Sequence, residues 1–371
     1  MFSESLLSER TKSFEASGIR KIFELAKSLK DPINLSIGQP HFDVPDPIKL
    51  AAKNAIDAGH NGYTITQGIP ELREKLLVDA ASRFPNQDRD VVITSGTSGG
   101  LLLSLLAVVN PGDEVIIPDP YFVSYPSIIA IAGGKAVKVD TYPDFKVDPD
   151  KVKAAITPRT KAIMFATPAN PTGAVVDAEA QKAIAELAQA RGILVISDEI
   201  YRAFNYGGTS TSPAAFSRDA LVIEGFGKTY GMTGWRLGWA HGPKRLIQEI
   251  AKLQQFTFVC APSMVQWAGL ASLEYDASHI AIDYKRKRDL ITNGLRGTYE
   301  FTQPEGAFYL FPKTPWGTGT EFITAAIQNN LLMIPGGTFS NLDTHFRISY
   351  AASDEMLLRG IDVLKRMARR N

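Results

Sequence analysis

The chain has one cysteine, Cys260, in 371 residues. No internal disulfide can form, so a packed core must hold the fold, as in proteins of reducing compartments. Cys260 sits among Phe258, Val259 and Ala261 and reads as a small core residue. An excess of one charge is lacking too. Forty Lys and Arg face 39 Asp and Glu, for a formal net charge of +1. Neither nucleic acid nor an anionic membrane surface is therefore expected as a partner. The basic stretch Lys365 to Arg370 reads as a solvated helix end facing its own dipole. No apolar run reaches membrane-spanning length, and Met1 to Lys12 lacks the apolar centre of a secretory signal. A soluble, cytoplasmic protein is expected. Internal repeats and low-complexity linkers are missing, and the glycine-rich stretch at 94–100 lacks the Gly-Lys-Ser/Thr ending of a nucleotide P-loop. No metal site is expected.

What remains is ordinary globular composition, 44% hydrophobic and 21% charged. The length suits two domains, or one large domain with a satellite. Apolar positions Phe14, Ile19, Ile22, Phe23, Leu25 and Ala26 predict a helix over residues 11–30. Helices are also predicted over 47–58 and 71–83, the second with Pro70 at a plausible first position. His41, in the loop between the first two, is as well explained by loop chemistry as by function. From Val91 on, short apolar runs alternate with helical stretches. Runs at 91–93, 114–117, 136–139, 161–165, 193–196, 221–223 and 237–240 predict strands, with helices from Leu101, over 124–132 and over 177–191. The fold class expected is α/β, a mostly parallel central sheet sandwiched by helices. A long helical region over 244–295 follows. Strands over 302–311, 331–334 and 346–350 then predict a smaller α+β domain.

In open α/β sheets, ligands bind at the carboxyl ends of the strands. Those ends are unusually equipped here. After residues 91–93 comes Thr94-Ser95-Gly96-Thr97-Ser98-Gly99-Gly100, hydroxyls and glycines ahead of a helix. Such a stretch suits an anion at a helix N-terminus, and equally suits a tight turn. After 114–117, Tyr121, Phe122 and Tyr125 offer rings to a flat ligand or to the core. After 161–165, Asn170 presents an amide between prolines. After 193–196, Asp198 ends an apolar strand, where a carboxylate needs a cation or good donors, and Tyr201 follows. After 221–223, Gly225-Phe226-Gly227-Lys228 places a lysine just past a strand, with Arg236 eight residues on. A lone lysine in such a loop is most often a surface residue. Together, the five ends supply what a flat, phosphorylated, pyridine-type aldehyde would use: an amine, an acid, donors and a phosphate cradle.

Asn170-Pro171-Thr172-Gly173, Ser197-Asp198-Glu199-Ile200-Tyr201, and Lys228 with Met232-Thr233-Gly234-Trp235-Arg236-Leu237-Gly238 resemble, in order and spacing, the fold-type-I pyridoxal-phosphate enzymes of aminotransferase class I and II. The resemblance runs from about Asn34 to Tyr350. It implies that Lys228 bonds the aldehyde carbon of pyridoxal 5′-phosphate and later shuttles the substrate's proton. It gives Asp198 to the pyridine nitrogen, Asn170 and Tyr201 to the phenolic oxygen, and Phe122 to the ring face. Gly96, Thr97, Ser98 and Arg236 fall to the phosphate. Tyr63 matches a tyrosine that reaches the neighbouring subunit's phosphate, which implies a homodimer with shared sites. Arg347 and Gly38 fall to the substrate α-carboxylate, a task suited to a guanidinium fork. The domains implied are a large cofactor domain over 45–283 and a discontinuous small domain of 1–44 with 284–371.

Two departures stand out. Gly225 replaces a serine usual in the family, so its phosphate hydrogen bond is lost or passes to Thr97 or Ser98. Ser98 replaces the lysine that binds a distal carboxylate in one aspartate-specific branch, and residues 255–262 hold no arginine. The expected reaction is transamination between an L-amino acid, neutral or aromatic for preference, and a 2-oxo acid, in two half-reactions. The alternatives on the same scaffold are a β-eliminating C–S lyase and a cyclopropane-forming synthase. A non-catalytic ligand-sensing protein is the alternative from another class, opposed by Lys228 and the near-neutral charge.

Overall fold

The computed structural model describes residues 3–12, 14, 29–208 and 210–369. The helix predicted over 11–30 falls largely outside them. Among the described residues, no helix is long and apolar enough to cross a membrane.

The first strand, β1 (Ile33–Asn34), lies outside the central sheet. The next seven build it: β2 (Arg89–Ser95), β3 (Glu114–Asp119), β4 (Lys135–Asp140), β5 (Thr160–Ala166), β6 (Leu194–Asp198), β7 (Leu221–Gly225) and β8 (Leu237–Pro243). Each apolar run read from the sequence is one of these strands, extended by one to three residues at one or both ends, except that β6 starts one residue later than the run at 193–196. The order is β2-β8-β7-β6-β5-β3-β4. β8 runs antiparallel to both neighbours, and the other pairs are parallel. Both faces are covered, which is why the strands are apolar throughout instead of alternating. Helices Gly96–Val108 and Lys244–Gln255 pack with Leu101, Leu105, Ile247 and Ile250 on one face. Helix Ala178–Arg191 packs Ile184 and Ala188 on the other, capped by the Asp177 carboxylate and ended by Gly192.

Three expectations need correction. The helix predicted from Leu101 begins at Gly96, so Gly96, Thr97 and Ser98 form its first turn. The helical region of 244–295 is three helices, Lys244–Gln255, Ser263–Ser272 and Ser278–Leu295. Pro262, with no N–H to donate, starts the second of them. The strand predicted over 302–311 shrinks to β9 (Tyr309–Leu310), because the N–H groups of Glu305 and Gly306 go instead to the Gly173 carbonyl.

The run 331–334 divides because its halves pair differently. β10 (Leu331–Leu332) lies parallel to β1, and β11 (Ile334–Pro335) lies antiparallel to β12 (Phe346–Ser349). β12 also pairs with β9. These short strands, with helices Ser278–Leu295, Gly319–Gln328 and Asp354–Ala368, surround a separate core of Phe308, Phe322, Leu332, Phe346 and Leu357.

Candidate active site

The ends of β2, β5, β6 and β7 open on one cavity of about 270 Å³. β8 runs the other way, so its beginning lies at this edge and brings Arg236 with it. Gly38, Gly96, Thr97, Ser98, Phe122, Asn170, Asp198, Tyr201, Lys228, Arg236 and Arg347 all line the cavity. Tyr63 does not; it is 87% exposed on the surface.

At one end the chain is set for an anion. Gly96 opens its helix with φ +68°, and a Cβ there would meet the Arg236 guanidinium at 2.6 Å. A Cβ on Gly238 would meet the Gly96 carbonyl carbon and the Thr97 nitrogen at 2.8 Å. Glycine at both places lets β8 and Arg236 close on a helix start whose first N–H groups have no partner within the helix. Arg236 is held by a bond from Nη1 to the Thr233 carbonyl, 2.9 Å. Gly225 has an explanation of the same kind. Its φ of −172° suits any residue, but a Cβ would lie 2.8 Å from Thr97 Oγ1. The Thr97 hydroxyl thus occupies the place that a serine at 225 would need.

In the middle, Asp198 is buried at the end of β6. Its Oδ2 accepts from the Tyr125 hydroxyl at 2.9 Å, and its Oδ1 from the Ile200 N–H at 3.2 Å, both neutral donors. Burial pushes the carboxyl up to about 6, against the pull of Tyr125, Ile200 and Lys228. Phe122 stands edge-on to Tyr125, ring centres 5.5 Å apart.

Lys228 lies in a one-turn helix, Phe226–Thr229, where an irregular loop was expected. Its Nζ donates to the Gly38 carbonyl at 2.5 Å. Burial, then Arg347 and Arg236, draw its pKa down to about 8, with Asp198 opposing. An amine so placed is much nearer to its reactive, neutral form than a free lysine.

Arg347, on β12, is almost wholly buried. Its guanidinium lies between the rings of Tyr309 and Phe339, 4.6 and 4.7 Å from their centres. Nη1 donates to Asn170 Oδ1 at 2.9 Å and Nη2 to the Ser36 carbonyl at 2.7 Å. Nε has no hydrogen-bond partner among the described residues. Tyr309 also meets Tyr201, hydroxyl to hydroxyl, at 2.7 Å.

Sequence reasoning missed Tyr309 and Phe339 altogether. It noticed Tyr125, but as a ring to stack rather than a donor to Asp198. His41 lies away from the cavity and bonds the Tyr284 hydroxyl at 3.0 Å through Nδ1. Cys260 is half-buried, not a core residue as expected, because residues 256–259 beside it are exposed.

Known proteins resemble this chain over nearly all of its length. The sequence profile of the family "Aminotransferase class I and II" matches residues 30–364. A probable aspartate aminotransferase of Methanocaldococcus jannaschii is 39% identical, over 97% of this chain and 99% of its own length. The aromatic-amino-acid aminotransferase 2 of Thermococcus litoralis is 34% identical, over 97% and 98%. The solved aspartate aminotransferase of Thermus thermophilus with maleate superposes with a TM-score of 0.92 at 35% identity, covering 97% of this chain and 99% of that one. By family profile, relatives and solved fold alike, the chain belongs to the class I and II aminotransferases and catalyses transamination.

Proposed function

We propose that this aminotransferase uses pyridoxal 5′-phosphate and transfers the amino group of a neutral or aromatic L-amino acid to a 2-oxo acid. The observation that carries the reading is Lys228, its pKa lowered to about 8, in one cavity with Asp198, Arg236 and Arg347. The residues fit the cofactor. Gly96 and Gly238 leave a cradle that a Cβ would fill, beside Arg236. Asp198 takes its hydrogen bonds from neutral donors, which leaves its charge for a protonated ring nitrogen. The unpartnered Arg347 Nε suits a substrate carboxylate.

When bound, the cofactor supplies an aldehyde carbon to take the amino group and a pyridinium ring to draw electrons from the substrate Cα. Lys228 would hold the cofactor through Nζ and would move the proton to and from the substrate Cα. Asp198 keeps the ring nitrogen protonated, and Tyr125 orients Asp198. Asn170 and Tyr201 donate to the phenolic oxygen, Phe122 covers a ring face, and Gly96, Thr97, Ser98 and Arg236 bind the phosphate. Arg347 and Gly38 orient the α-carboxylate.

Among the described residues, Lys228, Arg236 and Arg347 are the cations lining the cavity, and each has one of these tasks. A second carboxylate would need another cation. The second reading, a dicarboxylate donor, is favoured by the relatives named for aspartate.

We assign residues 45–283 to a large domain, and 1–44 with 284–371 to a small one whose closure excludes water. A homodimer and a cytoplasmic location complete the proposal. Exposed Tyr63, Ile65, Phe256 and Phe258 support the dimer, since large apolar side chains grouped at a surface mark contact sites. Gln254 and Gln266 bond Thr66 and Thr64 and hold these two segments side by side.

The test is absorbance of the purified protein with single L-amino acids and no acceptor. A visible band that converts to the pyridoxamine form, fastest with aromatic or neutral donors, is the expected result. Fast conversion with aspartate alone selects the dicarboxylate reading. Ammonia release with an unchanged band would overturn transamination.

A further inference from the structure

We infer that Tyr309 is a positioning residue for Tyr201, and that residue 38 is glycine because the Tyr309 hydroxyl fills the space of a side chain there. The inference rests on the reading of Tyr201 as a donor to the cofactor's phenolic oxygen.

The two phenol oxygens lie 2.7 Å apart, so one donates and the other accepts. Both phenols line the cavity, but Tyr309 is fully buried and abuts Gly38, whereas Tyr201 keeps slight exposure. If Tyr201 donated to Tyr309, the Tyr309 proton would be buried and in need of another acceptor, at the cost of its desolvation. The favoured order is Tyr309 to Tyr201, which leaves the Tyr201 proton for the cavity. A phenol that accepts one hydrogen bond also donates a stronger one.

Tyr309 is held on several sides. Its ring stands edge-on to that of Tyr201, centres 5.6 Å apart and planes at 85°. The Arg347 guanidinium lies over it at 4.6 Å, and its backbone is registered by pairing with Ser349. Gly38 closes the remaining side. Its backbone is outside the left-handed region, so conformation does not require glycine. Space does: a Cβ would lie 2.6 Å from the Tyr309 hydroxyl oxygen, but 3.5 Å from the ring carbon behind it. The carbonyl of the same Gly38 accepts from Lys228. One phenol thus directs the Tyr201 proton and abuts the loop that holds the lysine.

The experiment compares wild type, Tyr201→Phe, Tyr309→Phe, Gly38→Ala and the Gly38→Ala/Tyr309→Phe double variant. All are loaded with pyridoxal 5′-phosphate, and both the pH titration of the visible band and the thermal midpoint are read. A donor on the phenolic oxygen offsets the negative charge that keeps a proton on the neighbouring Lys228 nitrogen, so weakening the donor raises the titration midpoint. Tyr309→Phe should shift it upward, as Tyr201→Phe does but by less. Gly38→Ala should shift it the same way and lower the melting temperature in wild type. In the Tyr309→Phe background it should do little, because 3.5 Å is ordinary contact.

A wild-type midpoint in Tyr309→Phe overturns the inference, as does an equal effect of Gly38→Ala in both backgrounds. If Tyr309→Phe does not fold, Gly38→Ala alone decides, and an unshifted midpoint refutes the idea. If wild type itself gives no visible band, the cofactor reading fails, and the melting cycle still decides whether residue 38 is constrained by Tyr309.

Discussion

A lysine that attacks a carbonyl must first shed its proton, and the free side chain does so only near pH 10.4. Lys228 is brought down to about 8 by burial and by its cationic neighbours. Cofactor-free protein should therefore take up pyridoxal 5′-phosphate faster as pH rises, with the rate levelling off near 8 rather than above 10. Stopped-flow absorbance measures this. A rate still climbing steeply at pH 9.5 would show the amine to be unperturbed. Position 225 offers a second test. Gly225→Ser forces a Cβ against Thr97 Oγ1, 2.8 Å away. Overpacking of that kind costs about 1–3 kcal/mol, and weaker cofactor retention should accompany it. Adding Thr97→Ala removes the nearest contact but leaves Ile200 Cδ1 at 3.0 Å and the Leu237 carbonyl at 3.3 Å, so the double variant should recover part of the thermal midpoint and of the cofactor affinity. If the two changes simply add, the hydroxyls do not share that place.

The next scale is that of the strand ends. Behind the cavity, Arg83 bonds Glu199 at 3.0 Å, after β6, and Glu224 at 2.7 Å, in β7. Arg202 adds a bond to Glu224 at 2.7 Å. These pairs tie together the ends of the strands that present Asp198 and Lys228. Burial alone would raise the Glu224 carboxyl, but Arg202, the His241 hydrogen bond and Arg83 outweigh it and hold the group well below the usual range. A carboxyl held low adds stability above its unfolded pKa and loses it as pH falls toward the folded value. Arg83→Met should thus cost roughly 3–5 kcal/mol at neutral pH, as expected for breaking a buried pair. It should also move acid unfolding to higher pH, read by circular dichroism; an unchanged acid midpoint would remove Arg83 from this role.

The strands themselves were legible because burial on both faces makes them plain apolar runs, and their ends were legible because unlike polar residues follow each run. The first turn at Gly96 was not, since glycines count against a helix until the approach of Arg236 and β8 is known. Tyr309 and Phe339 were not either. They sit in a two-residue strand and just after a three-residue turn, too short for any period to show.

For the whole molecule, the proposed dimer would make each site depend on two chains, because Tyr63 is exposed at the surface and does not line the cavity of its own chain. Charges placed at the surface apolar group, as in Phe256→Asp with Ile65→Asp, should yield a monomer by analytical ultracentrifugation. Cofactor affinity should drop with it, since the phosphate loses its contact from the other chain. A monomer that binds cofactor as wild type does would confine the site to one subunit.

The reversed strand β8 also sets a schedule. β2 pairs with it residue by residue, from Arg89 against Pro243 to Ser95 against Leu237. The first half of the anion cradle is thus made early on the ribosome and must wait for most of the sheet before Arg236 and Gly238 emerge. Contacts so distant in sequence form late in folding. A nascent chain halted before β8 should hold no cofactor, because Arg236 and Gly238 are not yet part of it.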